Sequence, residues 1–380
     1  MRIVGITPEP MANSDYRVRL PIEALADRGH STEVVQWDFY RGGDPPPLAA
    51  LRQADVVHIW RLHESPVQRL AEALRQHGVA VVWDNDDDLL RLPPGKVPKG
   101  VRPAKERTND ELVAIMKAAH VVTTTCQELA RRFRRAAGVD VQVIGNYVEA
   151  RSLRRPAAAP REELVVGWVA GGEHKIDLKQ LRLRAALDRV LEQHPYVRVM
   201  SVGLPLGLRS ERYLAHESVP LAQLPSTLAS FDIGIAPLAD VSFNRVRSDV
   251  KLKEYAAAGL PWLASPIGPY RDRGEEQGGR LVRDPFWQKD LEALIVDDAA
   301  RDHLRERAIA WGRTQTIEHH AHLWESVFER ATTRARGGQA APAEREPELE
   351  HAAEVDHSQR DQVEPTRPER RGLVRRLMRR

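Results

Sequence analysis

A chain of 380 residues, 42% hydrophobic and 29% charged, can bury the cores of two ordinary domains, which excludes collagen-like and mainly disordered classes. A single cysteine, Cys126, rules out an intrachain disulfide and a Cys-x-x-Cys metal cage, and it fits a reducing, cytosolic address. The formal net charge of +3 is small for this size, so nucleic acid is not an expected partner. The opening MRIVGITPEP reads as neither a secretory signal nor a transit peptide, and no window approaches the roughly 20 apolar residues of a membrane span.

In chain order, the short apolar runs RIVGIT, STEVVQW, DVVHIW, VAVVWD, HVVTTT and VQVIGN predict strands. They alternate with amphipathic stretches of helical period, the pattern of βα units around a parallel sheet buried on both faces. Residues 1–150 thus form one doubly wound α/β domain. The Pro- and Ala-rich stretch over 151–163 reads as a linker. A second series, LVVGWVAG, VRVMSVG, FDIGIAPL, PWLASP and GRLVRD, begins another such domain over 164–330, closed by helices in KDLEALIVDDAARDHLRERAIAW and TIEHHAHLWESVFERAT. From Ala331 to Arg380 the composition turns to Ala, Pro, Glu, Gln and Arg, a disordered tail by its lack of core residues. Its end, RRGLVRRLMRR, reads either as a solvated basic tail or as a basic amphipathic helix making peripheral contact with an anionic membrane on the cytoplasmic face.

The segment RSDVKLKEYAAAGLP, Arg247–Pro261, follows the strand FDIGIAPL and so leaves the sheet edge where ligands bind in open α/β folds. Ser248 or Asp249 can cap the next helix. Lys251 then stands in the first turn, where a cation opposes the helix dipole unless an anion offsets it. A phosphate held by the free N–H groups and by Lys251 would do so. Glu254, three residues on, shares that face and can accept hydrogen bonds from ribose hydroxyls. The competing reading is an ordinary Lys–Glu helix pair on a solvated surface. Gly259 suits the helix C-terminus.

FDIGIAPLADVSFNRVRSDVKLKEYAAAGLPWLASPIGPY resembles the donor-site segment of retaining, nucleotide-sugar-dependent glycosyltransferases of the GT-B fold, the large family four. LVVGWVAGGEHKIDL is similar to the opening strand and glycine turn of their C-terminal domain, and HVVTTTCQELARRF with VQVIGNYVE to the last units of their N-terminal domain. The resemblance, over about residues 1–330, implies two Rossmann-like domains facing a cleft and a hexosyltransferase that works with retention and without a metal or cofactor. It implies that Glu254 takes the ribose hydroxyls, and that Lys251 with the backbone near Arg247 and Ser248 holds the diphosphate. Gly171 and Gly172 would let backbone approach the phosphates, with Lys175 adding charge. Family members often carry a second glutamate, on the donor sugar, eight residues before the one matching Glu254; here that residue is Val246, with Asn244 the nearby polar side chain.

Arg17 in the loop after the first strand, and Asp86, Asp87 and Asp88 after VAVVWD, are expected on the acceptor side of the cleft. Asp84 and Asp86–Asp88 could also be read as oxygen ligands for a divalent ion, but Asx-rich turns look the same, and no metal is expected. His58, amid apolar neighbours, reads as a satisfied core imidazole, and His174, after the glycine turn, as the histidine nearest the chemistry. The expected function is transfer of a sugar from a nucleotide diphosphate-sugar to a sugar-containing acceptor, whether glycan, lipid-linked or small molecule. Lys251, Glu254 and His174 serve as its central residues. A non-catalytic nucleotide-sugar-binding partner subunit and a nucleotide-sugar epimerase of the same fold are the alternatives.

Overall fold

The computed structural model describes residues 1–8, 12–91, 105–153 and 162–337. Most of the linker and the basic C-terminal segment lie outside the described residues. The first sheet holds β1 (Arg2–Thr7), β2 (Ser31–Gln36), β3 (Val56–Trp60), β4 (Ala80–Asp84), β5 (Val121–Thr124) and β6 (Val141–Val143), all parallel in the order β2-β1-β3-β4-β5-β6. The second holds β7 (Leu164–Ala170), β8 (Val197–Gly203), β9 (Tyr213–His216), β10 (Ile233–Ala236), β11 (Trp262–Ala264) and β12 (Gly279–Leu281), parallel in the order β12-β11-β10-β7-β8-β9. Eleven of these strands coincide with the apolar runs. The twelfth, β9, is a four-residue edge strand, too short to stand out as an apolar run.

The all-apolar strands follow from burial on both faces. Along β1, β3 and β4, Val4, Ile6, Val57, Ile59, Val81 and Trp83 pack into one cluster, while Ile3, Val56, Ala80 and Val82 enter another on the opposite face. The helix Ser65–Gln76 closes the first face with Val67, Leu70, Ala71 and Leu74, a helical stripe behind Pro66 in its first turn. In both sheets the chain reverses its direction of travel, between β1 and β3 and between β7 and β10, and the loops leaving these strands bound a cleft there.

The opposite face of the first sheet is covered from far along the chain. The helix Ile317–Gly337 follows the second domain, yet its Ile317, Trp324, Phe328 and Ala331 lie in the cluster of Ile3, Val56, Ala80 and Val82. The last helix thus belongs to the N-terminal core, a correction to its assignment as a closing helix of the second domain. It also runs past the expected tail boundary at residue 331. Ala331 and Thr332 are buried, and Arg334 donates to the His120 carbonyl at 2.8 Å and to Asp140 at 2.8 Å. Composition misplaces this boundary because small and long charged side chains can cover a core edge without looking apolar. Among the described residues no helix is long and apolar enough to cross a membrane.

Candidate functional site

The helix Val250–Ala257 is buried over most of its surface, from Leu252 to Ala257. Gly259, at φ 65°, ends it in the left-handed conformation that glycine adopts without strain. No side chain caps its N-terminus. Asp249, expected as the cap, instead receives Arg273 at 2.6 Å and Lys253 at 3.2 Å, while Ser248 Oγ accepts from Asn146 at 3.3 Å. Two cations outcompete the backbone for that carboxylate. The first-turn N–H groups thus remain without a side-chain acceptor. Lys251 Nζ donates to Glu254 Oε2 at 2.9 Å, and the Tyr16 hydroxyl, from the other domain, donates to Glu254 Oε1 at 2.7 Å. Burial, then the Glu254 charge, pushes the Tyr16 hydroxyl well above its ordinary range, so it stays a donor.

After β7 the chain turns at Gly171 and Gly172 into a short helix, Lys175–Gln180. His174 is buried, with Nδ1 2.7 Å from Asp177 Oδ2. Asp177 Oδ1 accepts from the Ala239 backbone and from Asn244 Nδ2, both at 2.7 Å, which ties the turn after β7 to the loop after β10. Because the carboxylate accepts at Nδ1, that nitrogen carries the proton and Nε2 is left as an acceptor. Burial and the Arg247 charge lower the His174 pKa despite Asp177 and Glu173, favouring the neutral ring. Arg247 Nη2 lies 3.1 Å from Glu173 Oε1, and its buried Nη1 has no hydrogen-bond partner.

The N-terminal wall is built at the ends of β1, β3 and β4. Arg61, the one non-glycine residue with positive φ (64°) among those described, stacks on Trp60 at 4.5 Å and donates to Asp86 at 2.7 Å and Asp87 at 2.8 Å. Burial raises the Asp86 pKa against the pull of Arg61. Asp88 pairs with Arg132, and Asp84 with Arg17. Each of the four carboxylates therefore has an arginine beside it. Among the described residues no group of three or more His, Cys, Asp or Glu is arranged to hold a metal.

A cleft of about 230 Å³ lies between these walls and brings together Gly171, His174, Arg247, Ser248, Lys251, Glu254, Asp86 and Asp87. The remaining expected residues lie off it. Arg17 is fully buried, gripping Asp84 through two bonds of 2.6 and 2.9 Å and donating to the Ile144 carbonyl and Asn146, so it braces the sheet end and does not face an acceptor. Asn244 is buried behind the cleft on Asp177 and Ala239. Asp88 is likewise buried on Arg132, and Gly172 and Lys175 face solvent. Val246 packs into the N-terminal apolar cluster with Trp83 and Phe133. The lining residues Tyr16, Glu173 and Tyr270 escaped the sequence reading. Glu173 alone carried a signal, its place beside the glycine pair. A small apolar recess of about 20 Å³, walled by Leu221, Leu224, Pro225 and Leu228, adjoins the cleft across Tyr16 and Glu254.

The sequence matches no protein-family model and no curated protein. Solved structures do share the fold. Sucrose-phosphate synthase from Thermosynechococcus elongatus superposes with a TM-score of 0.63 at 15% identity, over 87% of this chain and 99% of that one. Anabaena HepE in complex with UDP and glucose gives 0.59 at 15% identity over 86% and 99%. A UDP-forming α,α-trehalose-phosphate synthase from Burkholderia xenovorans gives 0.58 at 13% over 88% and 99%. The chain has the GT-B fold, two Rossmann-like domains about a cleft, as these glycosyltransferases do.

Proposed function

We propose that the protein transfers a sugar from a nucleotide diphosphate-sugar to a hydroxyl-bearing acceptor, with retention at the anomeric carbon. The observation that carries this reading is the uncapped N-terminus of the helix Val250–Ala257, opening on the cleft beside Lys251, Arg247 and the buried Glu254. Free N–H groups and two cations match a diphosphate, and Glu254 matches a ribose diol. Tyr16 and Lys251 satisfy that carboxylate, and ribose hydroxyls would take over from them. The apolar side chains Val219, Leu221 and Leu224 beside Glu254 offer a surface for a base. Charge developing on the leaving diphosphate would be stabilised by Lys251, Arg247 and the helix end. Asp86 and Asp87, across the cleft, would accept hydrogen bonds from acceptor hydroxyls, and His174, which lines the same cleft, has Nε2 as a neutral acceptor.

A non-catalytic nucleotide-sugar-binding subunit is the second reading, favoured by Val246, which is buried where the resembling family often has a glutamate. Lys251→Ala tests the site. Removal of the cation paired with the buried Glu254 should cost about 1–3 kcal/mol of stability. It should also weaken nucleoside diphosphate binding about tenfold. Denaturant melts beside calorimetric titrations with UDP, GDP and ADP read both. Unchanged affinity for whichever nucleotide binds would remove the helix end as the phosphate site. Turnover with the matching nucleotide sugar separates enzyme from binding subunit.

A further inference from the structure

The glycine turn after β7 is already filled. A Cβ built on Gly171 would lie 2.3 Å from Glu173 Oε2 and 2.9 Å from its Oε1, so the carboxylate rests directly on the backbone of the turn. The same group takes Arg247 Nη2 at 3.1 Å, while Arg247 Nη1 is buried without an acceptor. Glu173 is half-buried on the cleft wall, with 29% of its side chain exposed, and so has room to swing toward solvent. Only the absence of a side chain at Gly171 makes this approach possible, and it is the approach an outside anion would need.

We propose that Glu173 is an internal stand-in for the donor's phosphate: its carboxylate occupies the Gly171 turn and pairs with Arg247, and an incoming diphosphate must displace it. This rests on the diphosphate reading of the cleft. A carboxylate and a phosphate present the same chemistry to Arg247, negatively charged oxygens within hydrogen-bond reach, and one site cannot hold both. The competition sets a threshold. A ligand must outcompete one carboxylate, and a diphosphate, with a second charged group, does so by a wider margin than a monophosphate. Burial works to raise the Glu173 pKa, but the Arg247 charge and a backbone N–H outweigh it and hold it at about 2, so the block does not titrate away near neutrality.

The test uses the full chain and inorganic pyrophosphate, which lacks sugar and base, titrated calorimetrically into the parent, Glu173→Gln, Glu173→Ala, Arg247→Ala and Glu173→Gln/Arg247→Ala. Removal of the stand-in should tighten pyrophosphate about fivefold in both Glu173 variants, the scale of a partly exposed ion pair. It should also narrow the preference for pyrophosphate over phosphate, and the gain should vanish when Arg247 is absent. Binding by Glu173→Gln and not by the parent would support the proposal equally. Unchanged or weaker binding in both Glu173 variants, with the parent binding through Arg247, overturns the stand-in and leaves the diphosphate site standing. A gain that persists without Arg247 also overturns it, because net charge alone would then explain the effect. Absence of binding in the parent and in both Glu173 variants removes the stand-in together with the diphosphate reading. Glu173→Ala and Glu173→Gln serve as checks on one another should either fold poorly.

Discussion

His58, in the middle of β3, packs against the rings of Trp324 and Phe328 at centroid distances of 5.1 and 5.6 Å, and neither ring nitrogen has a partner. The expected satisfied imidazole is therefore buried but unsatisfied. Burial pushes its pKa from 6.5 down to about 4, with Asp84 opposing and Arg17 assisting. Between these values the unfolded chain binds a proton that the folded protein refuses, so stability falls as the pH drops from 6.5 toward 4. His58→Phe keeps the ring and removes the titration. It should gain about 2 kcal/mol over the parent at pH 5 beyond any difference at pH 7.5. Urea melts at the two pH values measure this, and a gain equal at both would mean the imidazole is not what makes the fold acid-sensitive. Part of the acid sensitivity should survive, because burial also lowers His120 to about 4.

At the level of elements, the loop between β10 and the helix Val250–Ala257 is held from both domains. Val246 is 1% exposed among N-terminal apolar side chains, and its carbonyl accepts from Cys126 Sγ at 3.4 Å. Lys253, on the helix, donates to the Asn146 carbonyl at 2.9 Å and lies 4.2 Å from the Tyr147 ring. Val246→Glu would place an unpaired carboxylate in that cluster, at a cost of about 3 kcal/mol or more at pH 7. The penalty should shrink as the pH falls and the carboxyl takes up its proton. A variant as stable as the parent at pH 7 would mean that this position can turn into the cleft, where the family's glutamate pattern would put it.

For the whole molecule, the crossing helix Ile317–Gly337 makes the N-terminal sheet depend on the end of the chain. Removal of residues 338–380 should leave the melting temperature unchanged, since that sequence has few core residues. Truncation after Arg330 also removes the buried Ala331 and Thr332 and the bonds of Arg334 to His120 and Asp140, and should lower melting by about 5 °C. Truncation after Thr316 removes Trp324 and Phe328 as well and should leave the first domain without half its cover. Calorimetry on the three chains checks the order. Equal melting of the first two would mean the helix ends functionally at Arg330, as composition implied.

Most strands were legible because the central strands of a parallel sheet covered on both faces take mainly apolar side chains, and that demand is written in the local sequence. The helix bearing Lys251 and Glu254 was legible for a related reason: charges on an otherwise buried helix stand out. What tertiary structure alone decided is pairing across distance. Tyr16 meets Glu254 from 238 residues away, and Arg17 meets Asp84 across 67. Arg61 and Arg132 each find one part of a run of aspartates that looks uniform in sequence. An arginine's choice of carboxylate depends on which strand ends lie side by side, and local sequence carries no record of that. The same holds for the last helix, whose apolar stripe states that it must be covered but not by which sheet.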